Sequence, residues 1–333
     1  MGWAQSYSIS MSRLYLCIPG MALLFVLGLM AQDKAQDNVI KVDVDLVNVL
    51  CTVHGKNNAL IGGLEKADFH LLEDGKEQEI KYFTRETDLP LTIGLLVDVS
   101  GSQARLIDTE HRAASAFFRS VLRPKDLAFI ISFGTDSELL QDSTNSAKLL
   151  EDGLKGLRLS VQVGGLHPGP VPTAQNNAGT VLWDAVYLAA NERLKTEAGR
   201  KVIVVITDGV DEGSRKTREQ AIHEAQLADA VVYSIDYSDP GAYGPGLVFG
   251  AGNGEADLRK MSDETGGRVF KVDRKNTLDD IFKQIQDEMR SQYALAYSPT
   301  NPKKDGSYRK LDFKMANKDY KVQARKGYYA VAN

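Results

Sequence analysis

Between Val39 and Phe83 apolar and polar residues alternate in short runs, VIKVDVDLVNVLCTV and then FHLLEDGKEQEIKYF, which is the period of half-buried strands. Asp74-Gly75 lies between two such runs and predicts a β-hairpin. After Asp88-Leu89-Pro90 the texture changes. Compact apolar, β-branched runs at Thr92 to Val97, Leu127 to Phe133, Lys201 to Thr207, Ala230 to Ile235 and Arg268 to Val272 predict strands covered on both faces. Between them, apolar residues recur at helical spacing over Arg105 to Val121, Ser146 to Leu157, Val181 to Lys195, Thr217 to Leu227, Asp257 to Thr265 and Leu278 to Arg290. In the first helix the spacing places Ala113, Ala116, Phe117, Ser120 and Val121 on one face. Strand and helix in alternation predict an α/β fold, a doubly wound and mostly parallel sheet flanked by helices, with right-handed crossovers. Beyond Arg290 the chain returns to strand texture in QYALAYSP, RKLDFKM and YKVQARKGYYA, with a turn segment at Asn301 to Gly306.

The forty-odd β residues at each end are too few for a core of their own, so the two ends are expected to pair into one small β-sandwich around the α/β insert. The expected organisation is a leader over 1–31, a first sandwich part over 38–88, the α/β domain over 89–290 and a second sandwich part over 291–331. Two separate β appendages packed on the α/β domain form the alternative. No internal repeat or low-complexity tract interrupts this layout. Two Gly/Pro-rich loops, Val161 to Gly179 and Asp239 to Gly254, are long enough to carry function.

Residues Leu14 to Ala31 carry no charge and follow Arg13, the layout of a secretory signal peptide, so export to the periplasm, the cell envelope or the medium is expected. A cut after Ala31 leaves Leu29 at a position that favours small residues, and Ala35 is a second candidate. A retained anchor is the competing reading, although the run reaches only the lower end of the ~17–25 residues a span needs and Pro19-Gly20 interrupts it. A lipidated Cys17 fits less well, because most of the apolar run follows it.

Forty Lys+Arg against 44 Asp+Glu give a net charge of −4, which excludes a general basic groove for nucleic acid. The cysteines are Cys17, inside the apolar run, and Cys51, so the remainder of the chain has no internal disulfide and no cysteine zinc module.

The chemistry concentrates at the carboxyl ends of the expected parallel strands, where open α/β sheets bind ligands. The first buried strand runs into Asp98-Val99-Ser100-Gly101-Ser102, a later one into Thr207-Asp208-Gly209, and Gly179-Thr180 opens a helix between them. Two carboxylates with hydroxyls and neither His nor Cys make an all-oxygen set, which selects hard cations: Mg²⁺ first, with Mn²⁺ or Ca²⁺ as alternatives. Few charged ligands leave such a cation undercompensated and ready to accept an anionic oxygen from outside, a carboxylate above all.

At these residues the chain resembles the von Willebrand factor type A domain, whose metal-ion-dependent adhesion site is written D-x-S-x-S, then a loop Thr, then an Asp after a later strand. The resemblance spans roughly Pro90 to Arg290 and includes the turn Glu264-Thr265-Gly266-Gly267-Arg268. It implies a metal held by Asp98, Ser100, Ser102, Thr180 and Asp208, the hydroxyls bonding directly and the two carboxylates acting largely through water. It also implies coupling between the site and the last helix, which here leads straight into the β tail. The leader, the segment DFHLLEDGKEQEI and the terminal GYYA look like the domain's relatives described from Acidobacteria.

Other readings remain beside this one. D-x-S-x-S alone is also a plain helix N-cap. A haloacid-dehalogenase-type site needs a second carboxylate where Ser100 stands; G-x-S-x-G, H-E-x-x-H and the phosphate-binding G-x-x-x-x-G-K-[ST] are absent, and Gly250 to Gly254 lacks the full dinucleotide spacing. No catalytic residue is therefore assigned, and a metal-dependent hydrolase is a distant alternative. His54, His70, His111, His167 and His223 show no ligand spacing and read as surface or local hydrogen-bond partners. Asp211-Glu212 reads as a solvated pair able to tune a nearby metal, the cations Lys271, Arg274 and Lys275 as a solvated face, and Trp183 as core. The expected function is an exported protein-binding module whose cation takes an Asp or Glu carboxylate from a partner protein. An envelope scaffold with incidental or absent metal is the alternative.

Overall fold

Hydrophobic period sorts the chain into three sheets. The computed structural model describes residues 46–85, 89–160, 179–238 and 254–331, all within one compact unit, Val44–Asn333. The leader, the start of the first alternating run, His167 and most of both long Gly/Pro loops lie outside the described residues. Among the described residues no helix is long and apolar enough to cross a membrane.

In chain order the elements are β1 (Val47–His54), β2 (Phe69–Glu73), β3 (Lys76–Gln78), β4 (Ile80–Arg85), β5 (Leu91–Asp98), α1 (Ile107–Val121), β6 (Leu127–Phe133), β7 (Ser137–Thr144) and α2 (Ala147–Leu154). There follow α3 (Leu182–Leu188), β8 (Arg200–Thr207), α4 (Arg218–Leu227), β9 (Ala230–Asp236), α5 (Gly254–Thr265), β10 (Val269–Lys271), α6 (Leu278–Arg290), β11 (Tyr293–Tyr297), β12 (Tyr308–Met315), β13 (Lys321–Ala324) and β14 (Gly327–Tyr329).

The central sheet has the order β10-β9-β8-β5-β6-β7. Every pair in it is parallel except the edge pair β6 and β7. Because β5, β6, β8 and β9 are covered on both faces, they read as unbroken apolar runs rather than alternating ones. One face packs against α1, α2 and α6, the other against α3, α4 and α5. Strand β7 escaped the sequence pattern: SELLQDST is half-exposed at the edge and carries no buried run. Helix α1 buries Ala113, Ala114, Phe117, Phe118 and Val121, whereas Ala116 and Ser120 are exposed, so the predicted face is rotated by about one residue. The segment foreseen as one helix to Lys195 is α-helical only to Leu188 and then widens into a π-helical stretch, Ala189–Leu194, that keeps Ala189, Ala190 and Leu194 buried.

Two antiparallel four-stranded sheets, β13-β1-β11-β4 and β14-β12-β2-β3, come from the two ends of the chain. Their pairings interleave N- and C-terminal strands, as in Val49↔Leu295, Val53↔Val322 and Leu71↔Phe313. Separate appendages are thereby excluded. A single apolar core, including Val49, Cys51, Leu71, Leu295, Tyr297 and Leu311, fills the space between the sheets. The predicted hairpin is present: Asp74 (φ 49°) and Gly75 (φ 80°) form its two-residue turn and Glu73 pairs with Lys76. Two residues, Ser291 and Gln292, separate α6 from β11. Buried Glu288 near the end of α6 accepts from Arg268 Nε at 2.6 Å and from Gln323 Nε2 of β13 at 3.3 Å, which joins the α/β domain to the sandwich.

Candidate functional site

Strands β5 and β8 are neighbours, and their next strands, β6 and β9, lie on opposite sides of them. This is the topological switch point, where loops leaving the carboxyl ends diverge and open a crevice. Asp98 closes β5 and Asp208 follows the last residue of β8, so both carboxylates arrive at the crevice by strand geometry.

Asp98 is fully buried and held on both oxygens. Oδ1 accepts from the Ser100 N–H at 2.9 Å and Oδ2 from the Thr207 hydroxyl at 2.6 Å. Burial pushes its carboxyl up to about 6; the Ser100 and Thr207 hydrogen bonds act in the opposite direction, and the charge of Asp208 adds to the rise. Above it, Ser100 Oγ and Ser102 Oγ lie 3.0 Å apart. Asp208 Oδ1 accepts from the Val210 N–H at 3.1 Å. A cleft of about 190 Å³ is lined by Ser100, Ser102, Thr180 and Asp208, together with Ser160 and Glu212. Asp98 does not line the cleft; it is buried behind Ser100, whose N–H it holds. Neither serine caps a helix, since the Ser100 side chain makes no cap hydrogen bond and Leu106 precedes α1, whereas Asp98 does take a backbone N–H of the turn after β5.

Backbone bonds fix the loops around this cleft. Val99 N donates to Phe133 O, Ser160 N to Val99 O, Val181 N to Gly134 O and Glu212 N to Thr180 O, at 2.8, 2.8, 2.9 and 3.1 Å. At Gly179 a Cβ would lie 2.8 Å from Glu212 O, so only glycine lets the two loops close on each other. Asp211, read from sequence as solvated, is instead structural: its Oδ1 accepts from Ser214 Oγ at 2.5 Å, and Ser214 Oγ accepts from the N–H groups of Trp183 and Asp184 at 3.0 and 3.2 Å. These bonds satisfy the start of α3 and hold Thr180 in place. Trp183 belongs to the core under α3. Glu212, the other half of the acidic pair, is exposed on the cleft rim.

Behind Asp208, Gly209 has φ +81° and a Cβ there would lie 2.7 Å from Gly254 O. Gly209→Ala is therefore expected to cost roughly 1–3 kcal/mol. Urea unfolding measures the loss, and a cost below about 0.5 kcal/mol would show that the backbone at this crossing gives way freely.

The donor set is suited to a hard cation: hydroxyl and carboxylate oxygens converge on one cleft, and Thr180 and Asp208 retain only a sliver of exposure. Among the described residues no group of three or more His, Cys, Asp or Glu stands ready to hold a metal. Any cation here would rely on hydroxyls and water beside two carboxylates. The histidines stay apart: His70 Nδ1 lies 2.9 Å from Glu77 Oε1, buried His54 lies near Thr52 and Asn58, and His223 meets the Tyr329 ring edge-on. Sequence reasoning did not find Ser160 or Thr135, whose segments have no motif spacing to the rest.

The family model of the von Willebrand factor type A domain matches residues 172–284. The chain carries a von Willebrand factor type A domain. The matched stretch contains Thr180 and Asp208, and the sheet joins it to β5, which brings Asp98, Ser100 and Ser102 to the same place. The match is to the domain alone and includes nothing of the narrower acidobacterial likeness. No curated protein matches the chain. Solved structures similar to this chain include an aerotolerance-related membrane protein from Bacteroides fragilis carrying multiple mutations to serine (18% identity, 60% of this chain and 98% of that one, TM-score 0.43). The vWF domain of the type V pili tip protein Mfa5 from Porphyromonas gingivalis is another (11% identity, 60% and 95%, TM-score 0.44). Proximal thread matrix protein 1 from the mussel byssus is a third (12% identity, 66% and 51%, TM-score 0.46).

Proposed function

We propose that this protein is an exported, non-catalytic adhesion or assembly module in which a divalent cation, Mg²⁺ by preference and Mn²⁺ or Ca²⁺ in its place, accepts an Asp or Glu carboxylate from a partner protein. The observation that carries the reading is the convergence of Ser100, Ser102, Thr180 and Asp208 on one cleft, with buried Asp98 bonded to the Ser100 N–H behind it. Bound there, the cation supplies a point of positive charge with coordination positions open to an outside oxygen. The chain's own part is orientation. Thr207 and the Ser100 N–H hold Asp98, the paired serine hydroxyls fix one wall, and the pinned 179–180 and 212 loops fix the other. Export rests on the uncharged run Leu14 to Ala31 that follows Arg13.

The test presents the full chain with an immobilised peptide bearing one Glu side chain and with its Gln counterpart. Binding to the Glu peptide in Mg²⁺, lost in EDTA and absent for the Gln peptide, is the expected result. Binding indifferent to EDTA contradicts the mechanism. Glu212 adds a refinement: its rim carboxylate attracts the cation across solvent, so Glu212→Gln is expected to weaken Mn²⁺ binding roughly fivefold, the equivalent of about 1 kcal/mol. Electron paramagnetic resonance of free Mn²⁺ reads this directly; an unchanged affinity would mean that Glu212 contributes nothing to the site.

A further inference from the structure

A second cleft lies at the seam between the sandwich and the α/β domain, away from the switch point. It has a volume of about 230 Å³, and its lining includes His54, Asn58, Asp263, Lys321, Gln323 and Lys326. Strand alternation explains its polarity. Val53 and Val322 are cross-strand partners whose side chains enter the sandwich core. The next pair along, His54 and Lys321, and the pair before, Thr52 and Gln323, therefore turn the other way. That outer face of β1 and β13 looks onto the end of α5 and Gly267.

Lysines near a helix C-terminus ordinarily complement its free carbonyls, but here several carbonyls around the end of α5 already have other donors. Met261 O accepts from Thr265 Oγ1 at 2.9 Å, Ser262 O from Gly267 N at 2.8 Å, Glu264 O from Gln226 Nε2 at 2.9 Å and Gly266 O from Gln323 Nε2 at 3.3 Å. Among the described residues neither Lys321 nor Lys326 has an ion-pair partner for its ammonium. The cleft is thus lined by two lysines without ion-pair partners and by buried His54, and Asp263 is the one acidic residue in its lining.

We infer that this seam cleft is a binding site for a small oxyanion, a phosphate or carboxylate group, held between Lys321 and Lys326 on the sandwich side of the seam. Two charge-assisted contacts are the recognition device. Asp263 opposes a bare anion, which favours ligands that also offer it a hydroxyl or ammonium donor. The inference is independent of the metal reading, because no residue is common to the two clefts.

The experiment titrates the full chain with sodium phosphate and, in a second arm, sodium succinate at constant ionic strength, read by isothermal calorimetry. Saturable one-site binding is expected in at least one arm, and the stronger arm identifies the oxyanion class. Lys321→Ala and Lys326→Ala are each expected to weaken it about tenfold or more, the loss of one charge-assisted contact. Lys321→Arg retains binding, and Asp208→Ala leaves it unchanged. Absence of saturable binding in both arms overturns the inference, as does binding that survives both alanine variants. Folding of each variant is checked by circular dichroism; should an alanine variant unfold, Lys321→Gln and Lys326→Gln, which keep most of the side-chain stem, replace it with the same expected loss.

Discussion

Glu73→Ala is expected to lower folding stability by roughly 3–5 kcal/mol, because it strands a buried cation. Glu73 and Arg309 are 3% and 1% exposed and lie 3.2 Å apart inside the sandwich. The other carboxylate oxygen of Glu73 accepts from the hydroxyls of Tyr297 and Tyr328 at 2.6 and 2.9 Å, so one substitution orphans a guanidinium and two phenols. Arg309 also donates to the carbonyls of Asn301 and Lys303, which fastens the turn segment before β12. Urea unfolding gives the loss, and a second readout localises it. Burial raises the pKa of Cys51 far above the ordinary thiol range, so in a Cys17→Ser background a thiol reagent reports opening of the sandwich alone. Fast labelling in Glu73→Ala under native conditions is the expected result. A loss below about 1 kcal/mol would show that water reaches Arg309 and that the pair is not part of a dry core.

The second large effect changes sign with the metal. Asp208 contributes negative charge beside the buried Asp98 carboxyl. In EDTA, Asp208→Ala relieves that repulsion and gives up the Val210 hydrogen bond, so its stability should stay within about 1 kcal/mol of the wild type. With Mg²⁺ present at about a hundred times the dissociation constant, the wild type gains about 2.7 kcal/mol and the variant gains nothing. A side chain that is nearly neutral in chelator and costly in Mg²⁺ is what a ligand residue predicts. A packing residue would cost the same in both.

Legibility in the sequence followed burial. β5, β6, β8 and β9 were found within a residue or so because strands covered on both faces leave continuous apolar runs, and α6 was found whole because its amphipathic stripe is unbroken. Strand β7 was missed, since an edge strand needs no apolar run, and the α1 stripe was misplaced because Ala116 and Ser120 are small enough to suit either side of a helix. The pairing of the chain's two ends was inferred from size rather than from any residue, yet the register Val49↔Leu295 is what one shared core requires. At the crevice, motif spacing identified Asp98, Ser100, Ser102, Thr180 and Asp208 as candidates, and four of them line one cleft. Ser160, Thr135 and the capping role of Asp211 had no sequence signal, because tertiary bonds such as Ser160 N to Val99 O bring those segments together. The seam cleft was equally silent: His54 and Lys321 become neighbours only through strand register.

The most direct test of the central claim is thermal unfolding of the full chain in EDTA and across a Mg²⁺ and Mn²⁺ titration, with Asp98→Ala and Asp208→Ala beside the wild type. The metal reading predicts a melting temperature that rises with either cation in the wild type and stays flat in both variants. A wild type that melts at the same temperature in EDTA and in saturating Mg²⁺ or Mn²⁺, or a rise that both variants share, would contradict it.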